Sequence, residues 1–299
     1  MPARRVAVLG NPASGRGRGE RLLTQAERAL QALGAEVRLL RTERSGHAPE
    51  LAEAAAREGV DAILVVGGDG TVRDAVQGLH QAAALSSIPL AILPGGTGND
   101  LARSVETART VEAAARAALG ERERRLDVWS WDGTLFVNVA GVGLDAAVAA
   151  EVNRSFRAIG GTLAYIGAVL RVLPGFKPQQ MKLTWPEGEW EGRVWLVAFG
   201  NAESYGGGMR IAPGAAPDDG CLEVVIVQDV PKWELLWQFP RLFTGGHVRH
   251  PRVLQLRVSE IEVHASPQPV TLDGELIGHT PARIRRLPEQ LRLLLPPEE

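Results

Sequence analysis

Short β-branched and leucine-rich runs begin near Arg5, Ala35, Ala62 and Pro89, spaced by roughly the 30 residues that a βαβ unit occupies. Such spacing predicts a parallel sheet. Between the first two runs, Leu22, Leu23, Ala26, Ala29, Leu30 and Leu33 recur at the helical period and form one apolar stripe, which Gly34 stops. A second helix is predicted from Pro49, a good first-turn residue, carrying Leu51, Ala52, Ala55 and Ala56 as far as Gly59. A third helical run, with Val72, Ala75, Val76 and Leu79, follows the strand at 62–66. Strand and helix alternate as they do in a doubly wound α/β domain.

Beyond the charged stretch at 121–125 the texture changes. An Asp132-Gly133 hairpin signal separates the tryptophan-flanked residues 129–131 from the alternating run 135–139. Further strand-like runs follow at 181–185, 190–199, 222–227, 253–258, 261–264 and 270–272, with helical stretches only near 146–173 and 231–243. We therefore expect an α/β domain over residues 1–127 and a mostly-β domain, an antiparallel β-sandwich, over 128–287. The last apolar run, 291–295, lies in a segment, 288–299, that either finishes the β domain or crosses back to the first.

A length of 299 residues suits two such domains. With 45% hydrophobic and 23% charged residues and a mean hydropathy of −0.04, the chain is neither disordered nor membrane-spanning in composition. Its longest apolar stretch, 163–173, is interrupted by Arg171 and falls short of the roughly 20 residues that a spanning helix needs. No transmembrane segment is expected. Residues 6–9 are too short for a signal-peptide core and Cys221 is the sole cysteine, so the expected location is cytoplasmic. A net charge of −2 supplies no field for nucleic acid, and an anionic partner must be held locally.

Local holding has three candidate sites. Gly67-Gly68-Asp69-Gly70-Thr71 directly follows a strand and opens a helix. Its glycines let backbone approach phosphate oxygens, and the helix start offers free N–H groups. Asp69 suits a magnesium ion lying between it and the phosphates, or an attacking hydroxyl that it orients. Pro94-Gly95-Gly96-Thr97-Gly98-Asn99-Asp100 follows the next strand, and Asn11-Pro12-Ala13-Ser14-Gly15, with Arg16 and Arg18, follows the first. These are the strand ends at which open α/β sheets bind ligands. The chain has no Walker P-loop and no dinucleotide fingerprint on its first strand.

In that order and spacing, the three elements resemble the soluble diacylglycerol kinase family, which includes sphingosine and ceramide kinases and bacterial relatives. The likeness continues through Asn138-Val139-Ala140-Gly141-x-Gly143-x-Asp145-Ala146, Gly206-Gly207-Gly208-Met209, Ala212-Pro213, Asp218-Asp219-Gly220 and Asp273-Gly274-Glu275. The Gly-Gly-Asp-Gly-Thr element is shared with NAD kinases and resembles that of phosphofructokinases. The Gly-Thr-x-Asn-Asp element and the β-domain motifs select the lipid kinases.

The resemblance implies nucleotide contacts at Asn11, Pro12, Ala13, Ser14, Gly15 and Thr42, at Gly67, Gly68, Asp69, Gly70, Thr71, Val72 and Arg73, and at Thr97, Asn99 and Asp100. Where the family generally has Asn, this chain has Arg73, followed by Asp74; that change adds a cationic phosphate contact or alters packing. The resemblance also implies a structural magnesium on Asp219 and the carbonyls of Ala216 and Cys221. Glu275 becomes the proton acceptor for a lipid hydroxyl, with Asp273 orienting water or metal, and Asp69 is a competing base. Trp233, Leu236, Trp237, Phe239, Leu242 and Phe243, near Arg241 and His247, fit either a bilayer surface or a core, and residues 156–176 are similarly open. Within the latter, Gly161-Thr162-Leu163-Ala164-Tyr165 is only loosely similar to an NAD kinase motif.

The reading is an ATP- and Mg2+-dependent lipid kinase with its chemistry in the cleft between the domains. Its partners are a lipid at a membrane surface, the inner face for a peripheral protein, and a second copy of the chain in a homodimer. The rivals are an NAD kinase-like enzyme with a soluble acceptor and a non-catalytic nucleotide- or lipid-binding regulator.

Overall fold

The computed structural model describes residues 3–156 and 161–298, which form two compact units, Met1–Leu126 with Pro288–Glu299, and Asp127–Leu287. In the first unit, β1 (Arg5–Gly10), β2 (Glu36–Arg41), β3 (Ala62–Gly67) and β4 (Leu90–Pro94) are the four predicted strands. The short turn α1 (Ser14–Gly17), α2 (Gly19–Ala32), α3 (His47–Arg57), α4 (Asp69–Gln81), α5 (Asp100–Ser104) and α6 (Val111–Leu119) connect and follow them, and β5 (Glu123–Leu126) ends the stretch. The sheet order is β2-β1-β3-β4, then the C-terminal strand Leu291–Leu294, then β5. All neighbours are parallel except β5, which runs antiparallel to the C-terminal strand.

The strand periodicity has its physical basis here. β3 is buried at every position because helices cover both faces of a parallel sheet. From the predicted stripe, α2 buries Leu23, Ala26 and Leu30 against Val6, Val8, Leu64 and Val66. Leu33 departs from that stripe: it stands past the last helical turn as the C-cap and is half exposed.

The second unit comprises β6 (Trp129–Trp131), β7 (Thr134–Phe136), β8 (Val139–Gly143), α7 (Leu144–Glu151), α8 (Gly161–Val172), β9 (Gln179–Trp185), β10 (Gly188–Gly200) and β11 (Leu222–Gln228). After α9 (Lys232–Gln238) come β12 (Val253–Val258), β13 (Glu260–Ala265), β14 (Pro269–Leu272), β15 (Glu275–His279) and β16 (Ala282–Arg286). Every strand pairing in this unit is antiparallel. The long strand β10 makes the sandwich. Its first half pairs with β9 and its second half with β8 and β11, and the register shifts between Val194 and Leu196. A bulge bends a strand and increases its twist, so one strand serves two layers. Between them lie Trp129, Trp131, Phe136 and Phe199.

Two predicted elements differ. The run 135–139 is broken, because β7 ends at Phe136 and β8 begins at Val139, for a reason given below. The helical stretch 146–173 is α7, a π-helical turn Val152–Phe156 and then α8, and its residues 157–160 lie outside the described residues. The stretch 231–243 is helical, but α9 tightens into a 3-10 helix, Phe239–Phe243, where Pro240 lacks the donor for a continued α-turn. No helix among the described residues is long and apolar enough to cross a membrane.

Candidate active site

Because β1 connects to neighbours on both its sides, the strand order reverses between β1 and β3, and a crevice opens at the C-terminal ends of these strands. Three predicted loops meet there. Gly15, at φ +58°, stands so close to Gly95 that a Cβ would lie 2.3 Å from the Gly95 carbonyl oxygen. A Cβ on Gly96 would lie 2.5 Å from the Gly68 Cα. Backbone packed this tightly leaves no room for a side chain between the loops.

Asn11 shapes the first loop: its Oδ1 accepts the Ala13 N–H at 2.8 Å and its carbonyl accepts that of Ser14 at 3.0 Å. Ser14 Oγ is buried without a hydrogen-bond partner among the described residues. A buried hydroxyl left unpaired is costly, and a phosphate oxygen would satisfy it. This is the observation on which ATP fits. Thr42 is half-buried at the end of β2, its N–H donating to the Gly10 carbonyl, and Thr97 is exposed. Asn99, held at φ +54°, clasps Gly96 from both sides, accepting its N–H at 2.9 Å and donating to its carbonyl at 3.0 Å. It shapes the loop.

Asp69 reaches across to the next loop, where its two oxygens accept the N–H groups of Asp100 and Leu101 at 3.1 and 3.0 Å and so satisfy the start of α5. Asp100 is buried and accepts from Arg103 at 3.1 Å. One carboxylate oxygen of each lies 3.0 and 3.1 Å from the direction in which Gly98 lacks a side chain, so the two acids converge. That donor set fits a cation arriving with a nucleotide, since magnesium takes one or two carboxylates and leaves the rest to phosphate and water.

Two of the implied nucleotide contacts have their groups engaged within the fold. Val72 buries its side chain in the core and spends its N–H on the Gly68 carbonyl. Arg73 is buried too and pairs with Asp74 at 2.5 Å.

In the second unit Asp273 also has another task than orienting water or metal. It is buried, with its carboxylate accepting the N–H groups of Val137, Asn138 and Val139 at 2.9, 2.8 and 3.1 Å. That clamp is what separates β7 from β8. Asp273 and Gly274, at φ +50° and +83°, form the tight turn that presents Glu275, exposed, as the first residue of β15.

The loop implied to hold structural magnesium is neutralised from within. Asp219 accepts the Cys221 N–H at 2.9 Å and Arg257 at 2.6 Å, while the neighbouring, fully buried Asp127 accepts the Gly220 N–H at 2.6 Å and Arg286 at 3.1 Å. Guanidinium groups thus already balance both carboxylates at the place where the resemblance implies magnesium on Ala216, Asp219 and Cys221. No cluster of three or more acidic, His or Cys side chains suited to a metal occurs among the described residues.

A further group of residues, given no role by the sequence, forms a buried polar cluster. Asp145 accepts from Tyr165 at 2.6 Å and from Thr271 at 2.7 Å, and the hydroxyls of Tyr165 and Tyr205 are 2.9 Å apart. Burial raises the Asp145 pKa, against the pull of these hydroxyl groups, and burial together with the Asp145 charge raises that of Tyr165. The cluster lines part of a cleft with about 770 Å³ of empty space including its open mouth, to which Glu234, His247, His250 and Arg252 also contribute. Otherwise Leu144, Val148, Val169, Leu196, Leu235 and Phe239 are prominent in its apolar lining. Thr271 belongs to the strand that leads into the Glu275 turn, so the polar cluster and the candidate base share one hairpin. Asp145 lies in the Asn138–Ala146 motif and Tyr165 in the segment only loosely similar to an NAD kinase motif; Tyr205 had no signal.

Residues 5–131 match the family profile described as the diacylglycerol kinase catalytic domain. Residues 138–295 match that of the YegS C-terminal NAD kinase beta sandwich-like domain. A diacylglycerol kinase of Mycobacterium tuberculosis is 33% identical over 304 residues, covering 98% of this chain and 95% of that one. One from Bacillus subtilis is 27% identical over 299 residues, covering 99% and 98%. The crystal structure of a diacylglycerol kinase from Bacillus anthracis superposes with a TM-score of 0.76 at 26% identity, covering 99% of this chain and 98% of that one.

Proposed function

We propose, because the chain belongs to the diacylglycerol kinase family and is a lipid kinase, that its acceptor is the free hydroxyl of a diacylglycerol drawn from a membrane surface, phosphorylated by ATP. The observation that carries this reading is the largely apolar cleft whose lining includes the polar cluster Asp145, Tyr165 and Tyr205. Its apolar side chains suit acyl chains and its polar cluster suits a glycerol backbone, a combination that a soluble acceptor such as NAD does not need.

The roles follow from the groups present. The loop amides, Ser14 and Thr97 hold the phosphates, and Asn99 keeps the loop in shape for them. Magnesium bound with the nucleotide would neutralise phosphate charge, with Asp69 and Asp100 as its protein ligands. Glu275 accepts the proton of the acceptor hydroxyl, whose oxygen forms the new bond to the γ-phosphorus as the bond to ADP breaks. Asp273 acts through position, fixing the turn that carries Glu275.

Purified protein incubated with ATP and either dioctanoylglycerol or NAD, with products read by mass spectrometry, tests this reading. Phosphatidic acid from the lipid alone is expected. Phosphorylated NAD alone would make the chain a nucleotide kinase, and no product from either would leave a binding protein.

A further inference from the structure

The cleft has a roof whose outer face is as apolar as its inner one. From α9 and the turn after it, Leu235, Phe239 and Leu242 face the cleft. On the other side of the same helix, Trp233 and Trp237 are 69% and 70% exposed. Tryptophan is seldom so open to water. The neighbouring α8 repeats the arrangement: Tyr165 and Val169 line the cleft, while Leu163 and Leu170, two turns apart on one face, are 73% and 56% exposed. The two helices are tied where Lys232 Nζ donates to the Pro174 carbonyl at 2.6 Å.

Charge identifies what covers this surface. Residues 161–177 and 231–252 contain Arg171, Lys177, Lys232, Arg241, Arg249 and Arg252 against one acid, Glu234, in a chain whose net charge is −2; Arg171 pairs with Glu151 at 3.1 Å and Arg252 lines the cleft, which leaves Lys177, Lys232, Arg241 and Arg249. Glu234 is itself engaged by His250 at 2.6 Å. Apolar indole and leucine groups within a cationic segment match an anionic bilayer interface. A second copy of the chain fits less well, since an isologous contact would set these cations against each other.

We infer that the outer faces of α8 and α9 form a docking surface for an anionic lipid bilayer, with Trp233 and Trp237 entering the interface. The inference rests on the lipid-acceptor reading above and names where the acceptor is collected. The helix that docks is also the wall of the cleft, so acyl chains pass from bilayer to cleft without crossing water.

The test uses the Trp233→Ala/Trp237→Ala double variant and, separately, Leu163→Ser/Leu170→Ser. None of these four side chains lines the cleft, and a melting curve checks each fold. Sedimentation with vesicles of phosphatidylcholine, with and without phosphatidylglycerol, reads docking without catalysis. Wild-type protein is expected to bind the phosphatidylglycerol vesicles, less so as salt rises, and each variant about tenfold more weakly. Activity on vesicle-borne diacylglycerol should fall in parallel, while activity on dissolved dioctanoylglycerol stays. Vesicle binding equal to wild type would overturn the inference, and so would equal losses on both substrates, which would make the helices cleft wall alone. A wild type that binds vesicles yet phosphorylates neither lipid would refute the lipid-acceptor reading and leave docking standing.

Discussion

In the nucleotide unit the candidate ligand groups are backbone amides and short side chains on loops that are each contiguous in sequence. In the second unit they are buried or half-buried side chains from four places, with Asp145 on α7, Tyr165 on α8, Thr271 on β14 and Tyr205 in the loop between β10 and β11. A site built from backbone must spell out its glycines in order, because each is forced by a close approach such as Gly96 on Gly68. A site built from side chains can draw each member from wherever the fold delivers it. The first kind is readable as a motif and the second is not.

The sharpest way to break this contrast is to ask which unit supplies the base. Glu275→Gln keeps shape and removes the proton acceptor, so single-turnover phosphorylation should fall by a factor on the order of 10² to 10⁴ with nucleotide affinity unchanged in calorimetry. Asp69→Asn should instead weaken nucleotide binding, since Asp69 also organises the start of α5. If Glu275→Gln turns over normally while Asp69→Asn is dead and still binds nucleotide, the base belongs to the first unit.

A smaller effect sharpens the backbone side of the comparison. Gly96→Ala places a methyl 2.5 Å from the Gly68 Cα, which backbone must move to relieve, at a stability cost of about 1 to 3 kcal/mol. Nucleotide affinity should drop with it, and a variant that melts and binds as wild type would show that the loops have slack.

The side-chain cluster should announce itself in pH. The Asp145 carboxyl, ordinarily ionising near 3.8, is raised by burial, so folding takes up a proton between the unfolded and folded values. The stability it contributes is full below the unfolded value and is lost as pH rises through the folded one. Asp145→Asn should remove that decline in melting temperature and so be the more stable protein above it, with activity reduced. A decline that persists in the variant belongs to another group.

The smallest expected effect concerns the acidic loop. With Arg257 on Asp219, magnesium should leave the wild-type melting temperature unchanged, whereas Arg257→Ala, which removes a part-exposed pair, should melt close to wild type without magnesium and then gain stability from it. A wild type that melts higher with magnesium would restore the ion to the loop.

Much of the architecture was legible because apolar period tracks burial: residues 62–66 read as a strand and are buried throughout. The Asp132-Gly133 turn was legible because two adjacent positive-φ residues, +46° and +93°, demand that chemistry. The break at 137–138 was not, since the competing partner, Asp273, is more than 130 residues away. Arg73 was ambiguous for a similar reason: its charge suggested phosphate, and only the fold shows it turned inward to Asp74. β15 and β16 escaped notice because one is mostly half-exposed and the other is rich in arginine.

The strand Leu291–Leu294 sits between β4 and β5 in the first unit's sheet, although the whole of the second unit precedes it in the chain. During synthesis, which runs from the N-terminus, the edge of β4 therefore waits while some 160 residues of the other unit emerge. An unpaired apolar edge is a site for wrong partners. The nucleotide unit is begun first and finished last, so a ribosome that stalls beyond Leu126 releases a chain whose catalytic loops exist on a sheet that cannot yet close.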